Sequence, residues 1–133
     1  MLGDVDGDGV PDIYASDWSD AAKGPGTGKI YVDSGRTGRL HTLEGETTGE
    51  RFGSTQAVDG DVNGDGCADL IVGAWQYSVT AQSAGRAYLF DGRSGKLLGT
   101  YTSKIPGDTM GFDAVGMGTL DAGGTTELLV TAG

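Results

Sequence analysis

The chain has one cysteine, one histidine, three prolines and a single asparagine among its 133 residues. One cysteine cannot form an internal disulfide. Zinc or copper would want several His or Cys ligands, and this sequence does not offer them. Asn63 is followed by Gly64 and Asp65, so there is no glycosylation sequon. No apolar run approaches the roughly 20 residues that cross a membrane. No secretory leader is visible, because Asp4 and Asp6 follow Met1 almost at once. Either an export signal has been removed or the chain does not leave the cell by that route. Basic residues are scarce, 9 against 19 acidic ones, for a net charge of −10. Such a chain is a poor partner for nucleic acid or an anionic membrane. Helical periodicity is missing throughout.

Glycine is abundant instead, at 26 residues, and it falls at turns rather than in a collagen period. The length allows one domain. Within it, DVDGDGVPDI at 4–13 returns 57 residues later as DVNGDGCADL at 61–70. Each copy places side-chain oxygens at loop positions 1, 3, 5 and 9: Asp4, Asp6, Asp8 and Asp12, then Asp61, Asn63, Asp65 and Asp69. An all-oxygen set in a flexible loop suits a hard cation with six to eight ligands, calcium more than magnesium. Gly9 and Gly66 at position 6 permit the sharp turn around one ion. By analogy with the EF-hand loop, the backbone carbonyl at position 7, Val10 or Cys67, is a further ligand. The Cys67 thiol itself has no expected role. The EF-hand itself is excluded, since its position-12 Glu is here Ala15 or Val72 and strand-like residues follow. The alternative is an acidic Asx-turn cluster without an ion, although so many carboxylates in one loop repel without a cation. A third copy, Thr119 to Leu129, keeps only Asp121 and Glu127 of its carboxylates, against Thr119 and Gly123 at the other ligand positions. Two calcium sites are therefore expected, and none in the third copy.

The repeat extends beyond the loops. GKIYVDSGRTGRL at 28–40 matches GRAYLFDGRSGKL at 85–97, Trp18 matches Trp75, and Phe52-Gly53 matches Met110-Gly111. A period of this size indicates a propeller, solenoid or array. Within one period, 53–60, 68–74, 85–90 and 96–102 read as strands, with DGRSG at 91–95 as a hairpin turn. The second of these is continuously apolar, fit for burial on both faces. The fourth is more polar, as an outer edge strand should be. Four antiparallel strands per period make a propeller blade.

The pattern resembles the FG-GAP repeat of integrin α-subunit-like β-propellers. Phe52-Gly53 supplies the FG, Asp61 to Asp69 the calcium loop, and Gly73-Ala74-Trp75 stands where that family has Gly-Ala-Pro. The expected fold is all-β, with four-stranded antiparallel blades and an incomplete ring in one chain. Residues 1–51 would be a blade lacking its first strand, 52–109 a complete blade, and 110–133 the first two strands of a third. Rings of the family close with about seven blades. This chain is thus expected to belong to a larger propeller, to stack as an open array, or to self-associate head to tail, a trimer being one option.

The resemblance implies a non-enzymatic adhesion or ligand-binding module in an extracellular, periplasmic or cell-surface setting, with calcium as a structural cofactor. Ligands would meet the face opposite the calcium loops, formed by 18–27, 44–51, 75–84 and 103–109. On it Trp18, Trp75 and Tyr77 are candidates for a protein or carbohydrate ligand, and Asp20 and Lys23 are weaker ones. The alternative for each Trp is packing against the next blade. A structural blade fragment and a propeller-scaffold hydrolase or lyase are the competing functions. Against an enzyme, His41 stands alone and reads as a surface residue on an outer strand, with no nucleophile–base pair in view. Glu44, Glu46 and Glu50 read as a solvated acidic loop. GPGTGKI at 24–30 fails as a phosphate loop, with Lys23 where Gly is needed, Ile30 in place of Ser or Thr, and no helix after it.

Overall fold

The computed structural model describes residues 3–58, 60–118 and 127–133, and its described residues contain strands and turns but no helix. The first sheet is β1 (Ile13–Asp17), β2 (Lys29–Ser34) and β3 (Gly38–Glu44). The second is β4 (Thr55–Val58), β5 (Leu70–Ala74), β6 (Arg86–Phe90) and β7 (Leu97–Thr102). The third pairs β8 (Ala114–Gly118) with β9 (Glu127–Val130). Every pairing between these strands is antiparallel and joins sequence neighbours. Three blades of three, four and two strands therefore stand side by side, and they do not close a ring.

The burial of each strand follows from its composition. In β5, Leu70, Val72 and Ala74 face the first sheet, while Ile71 packs with Ala87, Ala114 and Val130 toward the third. A strand with neighbouring sheets on both sides has no polar face, which explains the unbroken run Leu-Ile-Val-Gly-Ala. In contrast, β7 lies at the outside of its sheet and exposes Leu97, Leu98 and Tyr101. The repeat extends to irregularities. A β-bulge at Val32/Asp33 recurs at Leu89/Phe90, one period later.

The main core sits between the first two sheets. Phe52 is fully buried at its centre, edge-on to Tyr88 at 5.2 Å and to Phe90 at 5.9 Å between ring centroids. The chain reaches Phe52 by passing over Gly28 at φ 89°, where a Cβ would collide with the backbone of Phe52. Glycine is required there by both the dihedral and the approach.

Three expectations are corrected here. Glu50 is not solvated but fully buried. It accepts hydrogen bonds from the Tyr88 hydroxyl (2.9 Å), the Thr47 hydroxyl (3.2 Å) and the Glu46 amide. A buried carboxylate survives because donors surround it, and burial together with that carboxylate pushes the Tyr88 phenol far above its usual range. His41 does lie on β3, yet it is half-buried, and its Nε2 donates to the Gly92 carbonyl of the next blade at 2.6 Å. Tyr77 is 4 % exposed, with the Arg86 guanidinium 3.9 Å from its ring centroid. It is a core residue rather than a ligand contact.

Candidate metal centre

The two loops fold by the same set of hydrogen bonds, one period apart. Asp4 Oδ1 accepts the amides of Gly7 (2.7 Å) and Asp8 (3.0 Å), and Oδ2 accepts that of Gly9 (2.8 Å). Asp61 does the same with Gly64 (2.5 Å), Asp65 (3.0 Å) and Gly66 (2.7 Å). Asp6 Oδ1 accepts from Asp8 N and Asn63 Oδ1 from Asp65 N. Asp8 and Asp65 accept from Val10 N and Cys67 N, each at 2.8 Å. Positions 4 and 6 of each loop, Gly7, Gly9, Gly64 and Gly66, all have φ between 80° and 86°. Only the glycine at position 6 was singled out from the sequence. The one at position 4 is required for the same left-handed backbone.

Amides aimed at a carboxylate favour its charged form. The amide of Gly9, then those of Gly7 and Asp8, hold Asp4 below the usual carboxylate range. Burial pushes Asp61 up, but the amides of Gly66, Gly64, Asp65 and Asn63 together outweigh it and leave it lowered. The loops therefore keep their charge ready for a cation.

In the first loop, Asp4, Asp6 and Asp8 each bring a carboxylate oxygen within 4.8 Å of the others. Oxygens that share one calcium at about 2.3–2.6 Å lie within about 5 Å of one another, so the spacing fits. Asp8 Oδ2 is buried and has no hydrogen-bond partner, with only the Arg36 Nε as an ion-pair neighbour at 3.4 Å. A buried carboxylate oxygen without a donor is suited to a metal bond. In the second loop Asp61, Asn63 and Asp65 stand in the same hydrogen-bonded frame. The equivalent of Arg36 is Arg93, whose Nε donates to Cys67 Sγ at 3.2 Å, while burial raises the thiol above its ordinary pKa.

Position 9 stands apart from these groups. Asp12 is fully buried, and its two oxygens accept the amides of Val5 (2.7 Å) and Gly35 (2.9 Å). Asp69 repeats this with Val62 (2.8 Å) and Gly92 (3.0 Å), and also takes the Asn63 amide at 3.3 Å. Burial raises the Asp69 carboxyl despite those three amides. These carboxylates tie each loop to the hairpin turn of its own blade, a role that the ligand pattern did not reveal. Replacing Asp12 with Ala should therefore destabilise even the calcium-free protein, since two amides lose their acceptor at about 1–3 kcal/mol each. Urea denaturation in chelator checks this, and an unchanged midpoint would confine Asp12 to metal binding. The two loops also touch each other, through a bond of 3.0 Å from Ala68 N to the Asp4 carbonyl. Of the degenerate third copy, Thr119 to Leu129, residues 119–126 lie outside the described residues.

Of the aromatic candidates, Trp18 is 48 % exposed, with Arg51 stacked 4.6 Å from its ring centroid. Trp75 is half-buried and meets Phe112, in the turn before β8, edge-on at 6.0 Å. Asp20 and Lys23 are engaged in ion pairs, with Lys29 at 3.4 Å and with Glu44 at 2.9 Å.

The family model for the FG-GAP repeat matches residues 52–90, from the buried Phe52 through the loop to the end of β6. Residues 52–90 are an integrin-like FG-GAP repeat. Mouse integrin alpha-2 is 38 % identical over 90 residues, 64 % of this chain and 7 % of its own length. Human integrin alpha-IIb is 36 % identical over 104 residues, covering 71 % of this chain and 10 % of its own. Integrin alpha-4 of Xenopus laevis is 26 % identical over 115 residues, 82 % of this chain and 11 % of its own. The chain thus spans about a tenth of the length of the relatives it matches. In this FG-GAP repeat the amide of Gly53 donates to the Gly73 carbonyl at 3.0 Å, so the FG and GA segments close on each other across β4 and β5. Gly111 donates to Thr131 in the same way one period later.

Proposed function

We propose that the chain is a non-enzymatic, calcium-binding propeller module that serves adhesion or ligand binding outside the cell. The observation that carries this reading is the pair of matching loops, with clustered oxygens in the first and a buried Asp8 oxygen that lacks a donor. Asp4, Asp6, Asp8 and the Val10 carbonyl would hold one ion. Asp61, Asn63, Asp65 and the Cys67 carbonyl would hold the other, and Asp12 and Asp69, at position 9 of each loop, would be ligands as well as closing the loops onto their hairpin turns. Calcium would supply charge neutralisation and rigidity rather than reaction chemistry. An extracellular, periplasmic or surface setting follows from the need for plentiful calcium and from the similarity to integrin chains.

Among the described residues each sheet ends in strands that lack a neighbour on one side: β1 and β3, β4 and β7, and β8 and β9. Such edges pair readily, which supports self-association or docking onto further blades of a larger propeller. Calorimetric titration should give two calcium ions per chain, and light scattering should show whether the mass changes when chelator is added. Binding of no calcium at millimolar concentration would remove the proposal.

A further inference from the structure

A cleft of about 350 Å³ opens between the first two sheets, lined by Trp18, Arg51, Ser54, Trp75 and Gln76. Its size falls in the range of small-molecule sites, about 300–1,000 Å³. The repeat explains why it is open. At the second junction, Trp75 meets Phe112. One repeat earlier Trp18 takes the place of Trp75, and the residue aligned with Phe112 is Ser54. Phe112 is itself 61 % exposed and covers Trp75 from the solvent side, whereas Ser54 gives Trp18 no such ring cover and leaves it 48 % exposed.

Arg51 enters this space from the loop between β3 and β4, with φ 57°. Its guanidinium lies over Trp18, and its Nε donates to Gln76 Oε1 at 2.7 Å. Lys23, Lys29, Arg36, Arg39 and Arg86 each pair with a carboxylate, but Arg51 has none among the described residues. The lining of the cleft contains no acid, in a chain that has 19. A guanidinium held flat with free donors suits a carboxylate, and an indole suits a ligand with an apolar face and polar rim.

We propose that this cleft binds a carboxylated pyranose, a uronic-acid residue of a glycan, which rests on the reading of the chain as a ligand-recognition module. Trp18 and Trp75 take the apolar face of the ring, and Arg51 takes the carboxylate. The net charge of −10 does not oppose a short ligand, because charges beyond about 8 Å are damped at physiological salt. A long polyanion would meet the rest of the acidic surface, so the ligand is a short acidic oligosaccharide or chain end.

The test is an NMR titration of the ¹⁵N-labelled protein in calcium, followed at the two indole N–H resonances. The probes are trigalacturonic acid, its neutral galactose counterpart and a glutamate-rich tetrapeptide. Trigalacturonic acid should shift the Trp18 resonance saturably, and the neutral sugar should bind about tenfold more weakly. Arg51→Gln should erase that preference, and Trp18→Ala should lose binding of both sugars. Ser54→Phe copies the second junction and should block the cleft while the melting temperature holds or rises, which separates blockage from misfolding. The proposal is overturned by equal affinity for both sugars, by an undiminished response in Arg51→Gln, or by no shift at about 20 mM. Binding of the tetrapeptide alone would overturn the sugar and leave the ligand-recognition reading in place.

Discussion

Removing calcium should lower the melting temperature by about 20 °C, the largest effect expected for this protein. With a Kd on the order of 10 μM and millimolar calcium, each site contributes about 2.7 kcal/mol. Two sites then contribute about 5 kcal/mol, close to the whole net stability of many domains. At about 4 °C per kcal/mol for a chain of this size, the shift follows. The mechanism is local. Without the ion, Asp4, Asp6 and Asp8 stand with oxygens within 4.8 Å of one another and repel. Asp8→Asn or Asp65→Asn, each in one loop, should give about half the shift. Magnesium should restore less than calcium, because it demands tighter octahedral geometry and sheds water reluctantly. A melting curve unchanged by chelator would reduce the loops to hydrogen-bonded turns.

Phe52→Ala should cost about 3–5 kcal/mol, as for large aromatic truncations in a core. Phe52 is fully buried and touches Tyr88 and Phe90 edge-on. It also plugs the junction of two blades, so the vacated space cannot collapse without moving a whole sheet. Phe52→Met should cost far less. The third repeat already carries Met110 at this position, and a flexible thioether fills irregular space. Chemical denaturation of the three proteins in calcium checks the order. Equal losses for Ala and Met would mean that the ring edges, not the filled volume, hold the junction.

The strands were legible because their patterns are local. The apolar run of β5, the Gly-rich hairpin turn and the polar outer strand each follow from a few adjacent residues. The loops were legible because the ligands are close in sequence and occur twice. What was hidden arises between repeats. Glu50 reads as a surface acid until the Tyr88 hydroxyl of the next blade reaches it, 38 positions away. His41 reads as solvent-facing until Gly92 offers a carbonyl, 51 positions away. Tyr77 reads as a loop aromatic, yet Arg86 folds over it into the core. The cleft depends on a contrast, Ser54 against Phe112, that only the packing of consecutive blades makes meaningful. Position 9 was assigned one role from its spacing, and it performs a second through turns 23 residues downstream.

That second role turns two distant amides into reporters. Gly35 and Gly92 lie in hairpin turns, where amide protons normally exchange with solvent quickly. Here each is held by the carboxylate that closes a loop. Their exchange rates therefore track the integrity of each loop separately, one amide per site. Deuterium uptake at these two residues distinguishes a chain with its first loop open from one with its second open, without any probe on the loops themselves.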